Sequence, residues 1–585
     1  MHAYARFRYN EAMNERHFLS PWQEATGYII YPDAFYDSNG DGVGDLQGII
    51  QKLDYLHDLG IDLIWICPFF ASPMDDNGYD VSSYYDVDPR FGSNEDFQEM
   101  LDKAHSLGIR IIIDFVLNHT SDEHPWFKKA IEDPSSEEAS YYYFLKGRRT
   151  EKGIEPPNNW RSYFSESAWN KVPGSEDTFY LHLFSKKMPD VNWSYPPLRE
   201  KYFEIARHYL DMGIDGFRLD AISHLGKDLS FSDSSLPVGP DGLVLDPSKY
   251  ANREDMYQYL GEFKEKVLSH YDCLTIGEAG GGISPKQSLR LTNKHNGLIN
   301  MAFNFDTAWC NGAFASIDRK DEEIYTRVIE LKDNFKKWYD ETRKDVEALP
   351  MYWTDHDHPR ALSQYGNVEL RKQSMKMLIS TLLFSYGVPF MLYGDEIGMS
   401  NVQFDKPEDF YADISSKNEV AYLRSQGYSD SHIAHYLCRT SRINGRQPMQ
   451  WNSSDNAGFS IKEGRVKANP NAKEGVNVLD EENDPDSILN FTKLAIKLRK
   501  REENMRFLRY GRYDLYDHNH PDVYGYFFEL NEEKLVVIAS FSKHTTYFSF
   551  HWRPTDVILH NYDDFIYIDH VFTLRPFECI VMKAY

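Results

Sequence analysis

Cysteine is scarce in this chain of 585 residues: Cys67, Cys273, Cys310, Cys438 and Cys579 are scattered, odd in number and free of C-x-x-C spacing. That pattern argues against a disulfide framework and a cysteine zinc site, and it fits a reducing, cytoplasmic setting. No run of 18 or more apolar residues occurs, and the opening MHAYARFRYNEAMNERHF lacks an apolar signal core. A soluble, unsecreted protein with no membrane partner is therefore expected. Basic residues are also in deficit, 64 Lys and Arg against 90 Asp and Glu for a net charge of -26. Such a surface disfavours nucleic acid and anionic lipid and leaves a neutral small molecule as the expected partner. Nothing in the sequence speaks to oligomeric state.

What the chain has in quantity is apolar and aromatic surface, 41% hydrophobic residues and 15% Phe, Trp and Tyr. That is enough for one large globular domain with appendages. The aromatics suit sugar stacking and ordinary core packing equally well.

A unit recurs along the sequence. Helix-like stretches end in an apolar residue, then Gly, then Ile or Val opening a β-rich run: Leu59-Gly60-Ile61, Leu107-Gly108-Ile109, Met212-Gly213-Ile214 and Tyr386-Gly387-Val388. Glycine in the left-handed conformation turns the chain from an outer helix into an inner strand. Candidate strands are Thr26 to Phe35, Ile61 to Phe69, Ile109 to His119, Ile214 to Ile222, Cys273 to Ala279, Leu298 to Phe305, Leu349 to His356 and Val388 to Tyr393. Amphipathic stretches lie between most of them, such as Asn94 to Leu107, Pro197 to Met212, Met256 to Tyr271 and Glu369 to Tyr386. This alternation predicts an α/β fold, a (β/α)8 TIM barrel. The expected divisions are an N-terminal extension over 1–21, the catalytic barrel over 22–119 and 191–503, a lobe inserted after strand three over 120–190, and a C-terminal antiparallel β-sandwich over 504–585.

A barrel of this kind places its chemistry at the C-terminal strand ends. Strand three ends in Asp114-Phe115-Val116-Leu117-Asn118-His119, strand four in Arg218-Leu219-Asp220, strand five in Gly277-Glu278, and strand seven in Asp355-His356-Asp357. Glycoside cleavage requires one ionised carboxylate at the anomeric carbon and a second, protonated one at the leaving oxygen. Asp220 and Glu278 fit these roles. Arg218, two residues before Asp220 and on the same strand face, is expected to keep that aspartate ionised. Glu278, among Gly277, Ala279 and Gly280 with no basic neighbour in sequence, is expected to hold its proton. Any one of these acids alone would more often be a structural ion pair; together they favour catalysis.

The strings DFVLNHTS (114–121), MPDVNW (188–193), GFRLDA (216–221), GEA (277–279) and HD (356–357) closely resemble glycoside hydrolase family 13, the α-amylase family, in its oligo-1,6-glucosidase and α-glucosidase branch. The resemblance runs from about Trp22 to the C-terminus. It implies that Asp220 forms a covalent glucosyl intermediate, that Glu278 is general acid and then base, and that Asp357 stabilises the transition state, with retention of configuration. It further implies that His119, His356, Phe164 and Arg218 contact the sugar. DDNGYD (75–80) resembles the loop that closes the pocket with Asp76 and Tyr79, Tyr79 as stacking platform, and SRINGRQPMQW (441–451) the loop whose Arg442 pairs with that Asp. A pocket sealed in this way implies exo action on a short α-glucoside or oligosaccharide. For Asp76 the alternative is an ordinary turn residue.

Asp37-Ser38-Asn39-Gly40-Asp41-Gly42-Val43-Gly44-Asp45 alternates oxygen donors with turn glycines, as a hard cation requires. Position twelve is Gly48, so it is no complete EF-hand. The loop is similar to the structural cation loop of the glucosidase branch, which implies Ca2+ (or Mg2+) held by Asp37, Asn39, Asp41, Asp45 and the Val43 carbonyl. A hydrogen-bonded turn is the alternative. No organic cofactor is expected.

Departures from the family pattern fall beside the stabiliser. Relatives typically carry Asn-Asn-His-Asp-Gln where this chain reads Thr354-Asp355-His356-Asp357-His358, and Glu166 replaces a usual Gly. After the nucleophile stands Ala221, where relatives preferring α-1,6 bonds typically have Val, and this points toward α-1,4 substrates. A transglycosylating relative, of the trehalose synthase or sucrose isomerase type, shares all three acids; the RLDR loop associated with sucrose isomerases is absent. A non-catalytic binding subunit, resembling transporter heavy chains, is the third class.

Overall fold

In the computed structural model, described here for residues 21–585 except 165, 240, 307–309, 311–313, 315 and 347, all eight expected barrel strands are present. The expected extension over 1–21 lies almost wholly outside the described residues. The strands are β1 (Gly27–Ile30), β2 (Leu63–Ile66), β3 (Arg110–Val116), β4 (Gly216–Asp220), β5 (Leu274–Glu278), β6 (Met301–Phe303), β7 (Pro350–Tyr352) and β8 (Val388–Leu392). All pair in parallel, in the order β6-β5-β4-β3-β2-β1-β8-β7. The barrel is nearly closed, its seam lying between β6 and β7. The strands are short and buried on both faces, as parallel strands under an outer layer of helices must be.

Three of the four Gly junctions behave as expected: Gly60, Gly108 and Gly213 have φ of 96°, 74° and 103°. Gly387 does not have a positive φ. It is needed for another reason: a Cβ there would lie 2.1 Å from the Leu349 carbonyl oxygen, so glycine permits the approach of β7 to β8. The run expected as one strand from Thr26 to Phe35 is also corrected, because Pro32–Phe35 folds as a helical turn after β1. Proline at its first position fixes the helical φ there and removes a ladder donor.

Between β3 and the helix Pro196–Met212, a three-stranded antiparallel sheet (Phe144–Lys146, Thr178–Leu181, Trp169–Lys171) and a small hairpin form the inserted lobe. An antiparallel bridge between His119 and Asp190 closes its neck. Its aromatic core of Trp160, Trp169 and Phe179 also takes in Tyr250 and Phe231 from the β4–β5 connection, a partner the sequence did not announce. After β8, the helices Ile414–Ser425 and Asp430–Thr440 build a further cluster around Val420, Ile433 and Leu437, and they lead into the loop carrying Arg442.

The boundary expected at 503 falls inside the helix Glu502–Tyr510; antiparallel pairing begins at Arg512. A five-stranded and a three-stranded sheet then enclose Val536, Ile538, Phe548 and Phe572. Lys332, on the barrel helix Val328–Thr342 and fully buried, donates to the carbonyls of Asp517, His520 and Val523, tying this C-terminal sandwich to the barrel.

Candidate active site

The ends of β3, β4 and β5 converge on one guanidinium. In the β3–β4 register Arg218 lies beside Asp114, and in the β4–β5 register beside Ile276, two residues before Glu278. Partnered residues of parallel strands, and residues two apart, share a face, so Asp114, Arg218, Asp220 and Glu278 all point inward. Arg218 Nη1 donates to Asp114 Oδ1 at 2.7 Å and to Asp220 Oδ1 at 2.5 Å; Nη2 donates to Glu278 Oε2 at 2.6 Å. Trp65 and the Tyr79 hydroxyl satisfy Asp114 Oδ2 at 2.8 and 3.0 Å.

The fold brings Glu278 a basic partner from β4 that its neighbours in sequence do not supply. The one positive charge of Arg218 is shared by three carboxylates. Burial pushes the Asp220 carboxyl well above the usual range against the pull of Arg218, and the charges of Glu278 and Asp114 add to the rise. Burial likewise raises Asp114, to about 6, although Arg218 opposes it. Asp220 and Glu278 are close enough to hydrogen-bond each other.

Asp357 sits in the opposite electrostatic setting. Burial alone would raise it, but His356, Arg446, Arg442 and Arg218 hold its carboxyl well below the usual range. Arg446 Nη2 reaches Asp357 Oδ1 at 2.5 Å and Arg442 Nη1 reaches it at 3.3 Å. Arg442 Nη2 also pairs with Asp76 Oδ1 at 2.7 Å, as expected, and with Asp413 Oδ1 at 2.5 Å. Its guanidinium lies 5.4 Å from the centre of the Phe164 ring, which brings the inserted lobe to the pocket mouth.

Tyr79 stacks on His356 at 5.4 Å and 7° between planes, its hydroxyl 2.6 Å from His356 Nε2. Burial lowers both His356 and His119 to about 4, so both imidazoles are neutral near pH 7. His119 Nε2 and His356 Nδ1 are buried without a hydrogen-bond partner among the described residues. Ala221 adopts φ 48°, ψ 30°, and its N–H lies 3.3 Å from Glu278 Oε2.

Sequence reasoning missed Arg446 and Asp413. Arg446 stood in the quoted loop string, four residues after Arg442, and was passed over. Asp413 is the N-cap of the helix Ile414–Ser425 and carried no signal beyond its helix-capping residue type.

The loop from Asp37 to Asp45 lies apart from these carboxylates. Asp37 Oδ1 accepts from the backbone N–H groups of Asn39 and Gly40, and Oδ2 from Gly42 N–H and the Ser460 hydroxyl. Asn39 and Asp41 each accept from a backbone N–H two residues on, and Asp45 caps the following helix through Gly48.

A family model described as alpha amylase, catalytic domain, matches residues 29–510. The chain belongs to the α-amylase family. It is a glycoside hydrolase of the α-glucosidase and oligo-1,6-glucosidase type. To the oligo-1,6-glucosidase of Parageobacillus thermoglucosidasius it is 38% identical, over 96% of this chain and 98% of that protein. Among solved structures, the trehalose-6-phosphate hydrolase of Bacillus licheniformis superposes with a TM-score of 0.87 at 34% identity, covering 96% and 99% of the two chains. The isomaltulose synthase of Erwinia rhapontici NX5 does so with 0.89 at 32%, covering 97% and 99%. An α-amylase-family barrel thus carries this constellation, and no helix among the described residues is long and apolar enough to cross a membrane.

Proposed function

We propose that the chain is a retaining, exo-acting α-glucosidase that removes the non-reducing terminal glucose of short α-glucosides. The observation that carries this reading is that Asp220 and Glu278 bond the two terminal nitrogens of one guanidinium. Carboxylates so placed fit the separation of about 5–5.5 Å of retaining enzymes rather than the wider gap that leaves room for a water. Asp220 attacks the anomeric carbon as the C–O bond breaks, and Glu278 as general acid gives a proton to the leaving oxygen. Glu278, now ionised, takes a proton from water, which attacks the same carbon and frees Asp220. Asp357, held ionised between two arginines, faces the positive charge that develops on the ring. Neutral His119 and His356 offer their unpartnered nitrogens to sugar hydroxyls, and Tyr79 presents its ring to the sugar face. The ion pair of Asp76 and Arg442 walls off the pocket beyond one glucose, which supports exo action.

Ala221, beside Glu278, leaves room on the leaving-group side and favours α-1,4 over α-1,6 linkages. Transfer in place of hydrolysis is the second reading, supported by the likeness to an isomaltulose synthase. It needs only that water be kept from the intermediate. A panel of maltose, isomaltose, sucrose, trehalose and nitrophenyl α-glucoside, followed for rate and products, separates these readings. Proton NMR should show α-glucose released first. Asp220→Asn should reduce glucose release by about 10^4-fold or more; undiminished release would overturn the assignment.

For the Asp37–Asp45 loop the proposal is a structural Ca2+ (or Mg2+). The all-oxygen donors Asp37, Asn39, Asp41, Asp45 and the Val43 carbonyl suit such a cation, and Asp37 would exchange one of its four accepted hydrogen bonds for it.

A further inference from the structure

Asp355 and His358, the acid and imidazole that flank the stabiliser, are both buried in the turn after β7. One oxygen, Asp355 Oδ1, accepts from two donors: the backbone N–H of Asp357 at 2.8 Å and His358 Nδ1 at 2.6 Å. The His358 ring lies among Tyr352, Phe305 and Phe314, with centroids 6.4, 5.9 and 6.1 Å away. From the other side Gly445 presses on the turn; a Cβ there would fall 2.8 Å from the His358 carbonyl oxygen and 2.9 Å from that of Asp355. Arg446 Nε donates to the His356 carbonyl oxygen at 2.9 Å. The carboxylate of Asp357 is therefore set by Arg442 and Arg446, and its backbone by Asp355, which His358 in turn holds.

We propose that Asp355 and His358 form a positioning dyad that fixes the backbone of Asp357, so that its carboxylate meets the sugar in register with Asp220 and Glu278. The proposal rests on the reading of Asp357 as the stabiliser. The charged and titratable groups around the imidazole, Asp355 and Asp357 on its own turn, Glu278 from β5 and Tyr352 from β7, include three carboxylates, and these favour the imidazolium over the neutral ring although burial opposes it. The buried carboxylate of Asp355 is thus paired with an imidazole biased toward its charged form, and removing either alone leaves the other without its hydrogen-bond partner.

The test is a double-mutant cycle on the full chain with nitrophenyl α-glucoside. His358→Gln strands the Asp355 carboxylate and should lower kcat by about 10- to 100-fold, the effect of a displaced catalytic group, with KM nearly unchanged. Asp355→Asn keeps an acceptor for the Asp357 N–H and should cost less. The double variant, an amide donating to an amide, should recover most of the kcat lost in His358→Gln. Losses that multiply in the double variant, or a change confined to KM, would overturn the dyad. If His358→Gln fails to fold, the double variant compared with Asp355→Asn still decides, because the dyad requires the second substitution to be nearly silent in that background. Asp357→Asn separates the two levels: activity surviving there refutes the stabiliser, whereas an inactive Asp357→Asn with a multiplying cycle refutes the dyad alone.

Discussion

The pocket wall can be tested from either side, and the structure requires the two sides to respond differently. Asp76→Ala removes one charged acceptor for a sugar hydroxyl. A charge-assisted hydrogen bond contributes about 1.5–3 kcal/mol, so kcat/KM for nitrophenyl α-glucoside should fall about 10- to 150-fold, at 1.36 kcal/mol per decade. Stability should change little, because Arg442 keeps Asp413 at 2.5 and 3.0 Å and Asp357 at 3.3 Å. Arg442→Met removes the cation from two buried acids, Asp76 and Asp413, whose side chains are 5% and 1% exposed. Breaking one partner of a buried pair costs about 3–5 kcal/mol, so this variant should lose stability as well as activity. Asp413 is held below its ordinary value: burial opposes this, but Arg442 and Arg446 prevail. A depressed carboxyl contributes stability above its unfolded pKa and loses that contribution as pH falls through the folded one. The deficit of Arg442→Met relative to the parent should therefore shrink on acidification into the carboxylate range. Chemical denaturation at several pH values, with product profiles from a maltooligosaccharide, reads all of this. Equal destabilisation in the two variants, or glucose as sole product at undiminished rate from both, would refute the pocket wall.

Ala221→Val should raise the isomaltose-to-maltose rate ratio. Because Ala221 has a φ of 48°, where a β-branched side chain is more crowded than alanine, it should also lower stability, and an unchanged ratio would refute the linkage argument. Chelation with EDTA should lower Tm, and added Ca2+ should restore it; no response identifies the Asp37–Asp45 loop as a hydrogen-bonded turn. Burial lowers Lys332 to about 8. Between that value and its unfolded value the unfolded chain binds the extra proton, so stability gains a contribution as pH rises through this window. Lys332→Met should remove that slope and, by taking away the donor that three carbonyls share, destabilise the protein by about 1–3 kcal/mol; unfolding curves across alkaline pH measure both.

The barrel was legible because its signals are local: a Gly between helix and strand at four junctions, an apolar run, a polar strand end. Where one residue type serves two purposes, the reading slipped. Gly387 was read as a left-handed turn when its function is close approach, and Pro32–Phe35 was read as strand because an apolar run alone does not separate strand from helical turn. The convergence of acids at the strand ends was legible because glycoside cleavage limits which residue types can carry it. Their electrostatics were not, since Arg218 reaches Glu278 only across the β4–β5 register and Asp413 meets Arg442 from a helix that begins 28 residues earlier.

The carboxylates of the site fall into two clusters gathered around different guanidiniums. Arg218 serves three acids alone, Asp114, Asp220 and Glu278, and two of these, Asp114 and Asp220, rise above the ordinary carboxylate range. Arg442 pairs with Asp76, Asp357 and Asp413, and Arg446 pairs with Asp357; Asp357 and Asp413 fall below the ordinary range, whereas burial raises Asp76. The proposed retaining mechanism calls for an ionised group facing the charge that develops on the ring, and the depressed Asp357 suits that role. A lysine introduced beside Asp220 should counter the burial that raises its carboxyl, and loss of Arg446 should weaken the pull that holds Asp357 below the ordinary range.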